Sequence, residues 1–244
     1  MNAAEYANLE KVEREHWYYA GKRELVREWI GRTAGLQRDS LLLDCGAGTG
    51  IFAETMRGDC RVRVLDDHAE SLVILRRRFA AGEIIEGSAT RIPLPAGSCD
   101  VATALDVLEH IPDDQGTVNE IHRVLRSGGC AVVTVPAMMS LWSDWDEVLH
   151  HQRRYKADGL RALFAPEQWE ILHWNYTNVA VFPAVWMIRR WQRWRKPANG
   201  GRAEDKLPPA WLNGILQRIF VQLGLVRGLK FPAGVSLLLV ARKR

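Results

Sequence analysis

Residues 41–50 read LLLDCGAGTG: a short apolar run interrupted by Asp44, then glycines on alternate positions. An apolar run of this length closed by glycine is a buried strand that turns sharply. Gly46, Gly48 and Gly50 separate it from a helix predicted to start near Ile51, and without side chains they let a ligand approach the backbone amides. A dinucleotide loop, GxGxxG, would need its third glycine at 51, where Ile51 stands. Asp44 argues in the same direction. A carboxylate at the strand tip repels a pyrophosphate but suits a ligand carrying an ammonium and a sulfonium.

Beyond the loop, VRVLD at 62–66 predicts the next strand, ending on Asp66. A carboxylate there can accept hydrogen bonds from both hydroxyls of a ribose, with Asp67 as the competing acid. The alternation then continues. A helix is predicted over 69–80, strands over 83–87 and 99–107, a helix over 114–126, a strand over 130–136, a helix over 156–165, and strands over 168–176 and 235–243. Short apolar strands alternating with amphipathic helices predict an α/β fold, a parallel sheet with helices on both faces. Residues 5–34 have helical spacing broken near Gly21, which predicts two helices ahead of the core.

The 244 residues suit one large domain, and 47% hydrophobic with 25% charged residues excludes wholesale disorder. A net charge of +4 is far from the density of a dedicated nucleic-acid binder. Cys45, Cys60, Cys99 and Cys130 form no CxxC pair and read as core residues of a reducing compartment. The charged opening lacks a signal core, so a cytoplasmic protein is expected. The seven histidines show no metal-ligand spacing, and no metal is expected.

Taken in order, DCGAGTG, VLDDHAESL, EGSATRIPLPAGSCDVATALDVLEHIPD and HRVLRSGGCAVVTVP resemble the motifs of class I S-adenosylmethionine-dependent methyltransferases. The resemblance covers roughly residues 40–136. It implies a Rossmann-like, seven-stranded, mostly parallel sheet whose last strand is antiparallel, with S-adenosyl-L-methionine as cofactor. It also implies that Asp44 lies near the methionine amino group and that Gly46, Ala47, Gly48 and Gly50 line the methionine moiety. Asp66 or Asp67 would then take the ribose, Ser88 and Ala89 would border the adenine, and Leu105 would be a further cofactor contact. Ser88 departs from the acidic residue of many relatives, which predicts a weaker bond to the adenine amino group.

Glu109 and His110 follow the fourth strand, at the carboxyl edge where open α/β sheets bind ligands. His110 is one candidate general base; capping and loop orientation are the alternative for both residues. WSDWDEVLHHQRRY, with the earlier EREHWYYAGKR, resembles a bacterial subgroup that pairs an HW-aromatic-R opening with an HxRRY segment, as in ubiquinone-pathway-type small-molecule enzymes. His151 is the second candidate base. Tyr18, Tyr19, Glu109, Trp145, Arg153, Arg154 and Tyr155 are candidates for substrate contact, with an ion-pair network to Asp146 and Glu147 as the alternative for the HxRRY group. Trp17, Tyr18 and Tyr19 could cover the pocket, with Arg23 meeting the cofactor carboxylate, or they form a packing cluster.

The expected organisation is a helical lid at 1–36, a cofactor-binding core at 37–176, a helical insertion at 177–233 and a final strand at 234–244. In the insertion, 179–195 carries tryptophans and arginines but no acid, and its apolar part is too short to span a bilayer. It suits the face of an anionic membrane, here the inner one, or packing on the core; 210–227 has a similar face, and a linker at 197–209 separates the two. The reading is a methyltransferase acting on a small molecule, through an oxygen of a phenolic, quinone-like, lipid-linked or sugar-containing acceptor. A non-catalytic cofactor-binding protein and an RNA-directed enzyme are the alternatives, although the Asn/Asp-Pro-Pro-aromatic signature of nucleic-acid enzymes is missing after the fourth strand.

Overall fold

The computed structural model describes residue 10, residues 12–194 and residues 207–244, with the side chains of 193 and 194 excepted. Among the described residues, seven strands form one sheet: β1 (Leu41–Cys45), β2 (Arg61–Asp66), β3 (Ile84–Glu86), β4 (Cys99–Leu105), β5 (Leu125–Pro136), β6 (Trp169–Thr177) and β7 (Ser236–Lys243). Their order is β3-β2-β1-β4-β5-β7-β6. β1 to β5 pair in parallel, whereas β7 lies antiparallel to both β5 and β6. The order reverses between β1 and β4, and a crevice opens at the carboxyl ends of strands on either side of such a reversal.

The strands are apolar at successive positions because both faces are covered. Leu43 and Cys45 of β1 join one buried layer and Leu42 the other. The first layer holds Val118, Ile121 and Val124 of helix α4 (Asp114–Val124), with Leu160 of α6 (Ala157–Ala162). The second holds Leu25, Val26, Trp29 and Ile30 of α1 (Trp17–Thr33), Phe52 and Met56 of α2 (Ile51–Met56), and Leu72 and Leu75 of α3 (Ala69–Arg78). Between β5 and β6, residues 137–155 carry the short helix α5 (Asp144–Val148), whose N-cap Ser143 forms a capping box with Asp146.

One expectation fails at Gly21. The helix α1 runs unbroken through it. A Cβ on Gly21 would stand 2.9 Å from Phe220 Cδ1 of α8 (Ala210–Gly224), and a Cβ on Gly224 would stand 2.6 Å from Leu25 Cδ2. The glycine marks a close helix–helix approach rather than a break, and packing overrides its low helix propensity. The real entry to α1 is His16, whose side chain accepts the Tyr18 amide at 3.3 Å. Asn213 ties the two helices by accepting the Trp17 amide at 2.8 Å and donating to the Glu15 carbonyl at 2.8 Å.

The other inserted helix, α7 (Phe182–Trp194), leaves Trp186, Met187, Ile188 and Trp191 exposed. Among the described residues, no helix is long and apolar enough to cross a membrane. Leu9 of the opening helical pattern, Arg195 and Lys196 of the basic stretch, and the linker as far as 206 lie outside the described residues.

Candidate active site

The carboxyl ends of β1, β2 and β4 gather the glycine loop and its acids. Gly46, Gly48 and Gly50 have φ of 63°, 58° and 75°, in the left-handed region that favours glycine. A Cβ on Gly46 would meet Val107 Cγ2 at 2.7 Å, and one on Gly50 would meet Phe79 Cε2 at 2.5 Å, whereas Gly48 faces open space. Two glycines thus seat the loop on its neighbours, and the one between them presents backbone to whatever enters. Ala47 donates its amide to the Leu65 carbonyl at 3.0 Å.

Asp66 fixes that loop. Its Oδ2 accepts the Gly48 amide at 2.8 Å and its Oδ1 accepts the His68 amide at 3.0 Å. Each carboxylate oxygen keeps a second lone pair for a ligand. Asp67 is exposed and lies 3.0 Å from His68 Nδ1, turned towards solvent. Asp44 is buried, and its Oδ1 accepts from Thr103 Oγ1 at 2.6 Å, from the residue opposite it on β4. Burial pushes its carboxyl up to about 7; Thr103 opposes the shift, and the nearby Glu13 and Asp66 add to it. Glu13, in the segment ahead of α1, accepts a hydrogen bond from Thr49 Oγ1 within the loop, and burial raises its pKa also. Three acids therefore converge on the loop, and the site fits a ligand with cationic groups.

Ser88 and the buried Ala89 follow β3; the Ser88 hydroxyl bonds Thr90 Oγ1 at 2.9 Å. Leu105 closes β4 and packs against the layer of α1 and α2. Arg23 donates to the carbonyls of Glu13 at 2.5 Å and Arg14 at 3.1 Å, so here it clasps the opening segment. Trp17 packs edge-on against Phe220 with ring centroids 6.2 Å apart. Tyr18 donates to or accepts from Ser236 Oγ at 3.2 Å, and Lys22 Nζ lies 5.1 Å and 5.5 Å from the ring centres of Tyr18 and Tyr19.

Lys22 also donates to Asp106 Oδ2 at 2.5 Å. Asp106 has φ 56°, a strained conformation for an aspartate that persists only where neighbours enforce it. The neighbours are Thr134, which accepts the Asp106 amide and donates its hydroxyl to Oδ1, both at 2.9 Å. Burial pulls the Asp106 carboxyl up, but the charge and hydrogen bond of Lys22 outweigh it and hold it below the usual range.

The turn after Asp106 carries Glu109 and His110 towards residues 143–155. Glu109 is fully buried, and neither carboxylate oxygen has a hydrogen-bond partner among the described residues; burial first, then Asp106, raise its pKa well above the ordinary value. Burial, reinforced by His151, lowers His110 to about 4. The rings of His110 and His151 meet edge to face, 4.7 Å between centroids.

His151 Nδ1 lies 2.8 Å from Asp146 Oδ1, and Arg154 grips both oxygens of Asp146 at 2.7 Å and 3.0 Å. Burial raises Asp146, but the bonds from His151 and Arg154 bring it down to about 2. Arg153 pairs with Asp114 at 2.7 Å, and Tyr155 donates to the same carboxylate at 2.7 Å. Both arginines and Tyr155 are therefore engaged in the architecture of the turn. Trp145, half-buried on α5, occupies the same region.

Glu13, Thr49, Lys22 and Thr103 were absent from the sequence expectations. Lys22 follows Tyr18 by one helical turn, and Thr103 is opposite Asp44 in the strand register, so helix and strand periodicity could have found both.

Comparison with known proteins agrees with the geometry. The Methyltransferase domain family matches residues 43–133. The chain is 32% identical over 162 residues to a "Probable S-adenosylmethionine-dependent methyltransferase" of Mycolicibacterium smegmatis, covering 64% of this chain and 61% of the relative. It is 29% identical over 145 residues to the ubiquinone biosynthesis O-methyltransferase of Erwinia tasmaniensis, covering 53% and 58%. The solved geranyl diphosphate methyltransferase in complex with S-adenosylmethionine superposes with a TM-score of 0.57 at 14% identity, over 89% of this chain and 84% of that one. Residues 43–133 thus match a methyltransferase domain, and the chain is similar to S-adenosylmethionine-dependent methyltransferases. It spans about three-fifths of the length of these two curated relatives.

Proposed function

We propose that the protein transfers a methyl group from S-adenosylmethionine to an oxygen of a phenolic, quinone-like, lipid-linked or sugar-containing small molecule. The observation that carries this reading is the adjacency of two unlike sites. An acid-ringed glycine loop suits a cationic donor, and Val107, packed against Gly46, joins it within two residues to Glu109 and His110, which stand beside His151. The ubiquinone-pathway relative supports oxygen as the methylated atom.

In this reading Gly46, Ala47, Gly48 and Gly50 cradle the methionine moiety and Asp44 attracts its amino group. Asp66, with Asp67 beside it, takes the ribose, and Ser88, Ala89 and Leu105 border the adenine. Trp17, Tyr18, Tyr19 and Arg23 form the wall of a helical lid over the 37–176 core. Methyl transfer is an in-line displacement, so alignment supplies most of the rate. A hydroxyl acceptor must also lose its proton, and the corner of Glu109, His110 and His151 is where that oxygen would be received. Trp145, Arg153, Arg154 and Tyr155 shape that corner.

The insertion at 177–233 serves as a cap. The exposed face of α7, where Arg190 lies 5.7 Å from the Trp186 ring centre, suits peripheral contact with the anionic inner face of a membrane. Liposome co-sedimentation tests it, and no binding to anionic vesicles removes the membrane contact. The reaction itself is tested by mass spectrometry of an extract supplied with protein and labelled cofactor. A metabolite that gains the labelled methyl, with release of S-adenosylhomocysteine, is the expected result. Cofactor binding without any methylated product would favour a non-catalytic cofactor-binding protein, and label in RNA an RNA-directed enzyme.

A further inference from the structure

We propose that Glu109, His110 and His151 form a binding site for one divalent transition-metal cation of the zinc or manganese kind, on the acceptor side of the cofactor pocket. One ligand atom from each of the three lies within 4.8 Å of the others. The residues come from two distant segments, so no spacing rule could reveal them. Three observations point to a cation.

First, Glu109 is wholly buried with both carboxylate oxygens unpartnered among the described residues, and such a group is costly to bury unless something positive meets it. Second, the surrounding charges are already matched. Lys22 pairs with Asp106 at 2.5 Å and Arg154 with Asp146 at 2.7 Å, so neither of these cations is paired with Glu109. Third, His151 is held as metal-bound histidines are: Asp146 Oδ1 lies 2.8 Å from Nδ1, orienting the ring and leaving Nε2 for a ligand bond.

Two imidazoles and one carboxylate favour zinc or manganese over magnesium and calcium, which prefer oxygen ligands, and they leave coordination positions open. An acceptor hydroxyl occupying one of them would lose its proton to solvent more readily. Its oxygen would then take the methyl group while the carbon–sulfur bonding pair stays on sulfur. That role rests on the proposed methyl transfer; the binding site does not. The second cluster of this type, Asp66, Asp67 and His68, is a weaker candidate because both oxygens of Asp66 already accept backbone amides and the other two residues are exposed.

The test is calorimetric titration of the metal-stripped full chain with Zn2+ and with Mn2+, with bound metal counted by mass spectrometry. The expected result is one ion per chain, bound at least tenfold more weakly by Glu109→Gln, by His110→Ala and by His151→Ala, and unaffected by His68→Ala. Asp146→Asn should weaken binding about 10- to 100-fold through His151. Thermal unfolding of each variant identifies any that misfolds, and the remaining ligand variants then decide. No stoichiometric binding by the wild type, equal affinity in the folded ligand variants, or loss in His68→Ala would overturn the proposal. S-adenosylmethionine titrated into the same samples separates the two readings. Intact cofactor binding without metal binding removes only the metal site, whereas lost cofactor binding removes the methyl-transfer reading.

Discussion

Asp66, at the end of β2, accepts the amide of Gly48 at 2.8 Å and so ties the tip of the glycine loop to the neighbouring strand. The carboxylate that should hold the ribose thus also holds the loop in shape. Asp66→Ala removes two charge-assisted hydrogen bonds, each worth about 1.5–3 kcal/mol. It should lower stability in urea unfolding and weaken S-adenosylmethionine binding at least tenfold by calorimetry. Unchanged affinity would dismiss the ribose assignment.

With Asp44 at the proposed cofactor site, binding should be proton-linked. Its folded pKa of about 7 exceeds the ordinary 3.8, so the folded protein binds the extra proton between those values. The stability associated with it is present below pH 3.8 and declines as pH rises towards 7. A cationic ligand favours the ionised form, so binding near pH 7 should release a proton. Calorimetry in two buffers of different ionisation enthalpy measures that release, and Asp44→Asn should remove most of it.

His110 and His173 run the other way. Burial lowers each to about 4 from 6.5, so their contribution is present above pH 6.5 and declines as pH falls towards 4. Urea midpoints from pH 7 to pH 4 should fall less steeply in the His173→Gln variant than in the wild type.

The HxRRY segment depends on one buried acid. Removing one partner of a buried ion pair costs about 3–5 kcal/mol, and Asp146→Ala would strand both Arg154 and His151. The urea midpoint should fall accordingly. A loss below about 1 kcal/mol would mean that solvent replaces Asp146 with ease.

The contact between α1 and α8 is set by absent side chains. Gly21→Leu would drive a side chain into Phe220, whose Cδ1 stands 2.9 Å from the position of a Cβ. Overpacking of this kind costs about 1–3 kcal/mol, or roughly 2–12 °C of melting temperature at this chain length. Gly31→Ala, which meets nothing within 4 Å, is the matched control and should melt no lower than the wild type.

Much of the fold was legible because strand and helix alternate with clear periods, and because Leu42 and Leu43 can be apolar together only in a strand covered on both faces. Gly21 was misread because propensity acts on a residue alone, whereas Phe220, far along the chain, decides its place. The site divides in the same way. The glycine loop and Asp66 belong to a local pattern, as do His151, Arg154 and Asp146, which share one short span. Glu13 against Thr49 and Lys22 against Asp106 join remote segments through single polar contacts, which leave no periodic trace. The unpartnered state of Glu109 is likewise a property of the packed interior, invisible in DVLEHIPD.

The position of β7 between β5 and β6 sets the order in which the molecule can be built. Residues 236–243 supply hydrogen bonds to both neighbours, so until they are synthesised those two strands cannot be joined. A nascent chain arrested before 236 would present two open strand edges, ready templates for pairing with other chains. Ribosome-bound intermediates of this protein should therefore be the species that chaperones capture, and release should coincide with insertion of the closing strand.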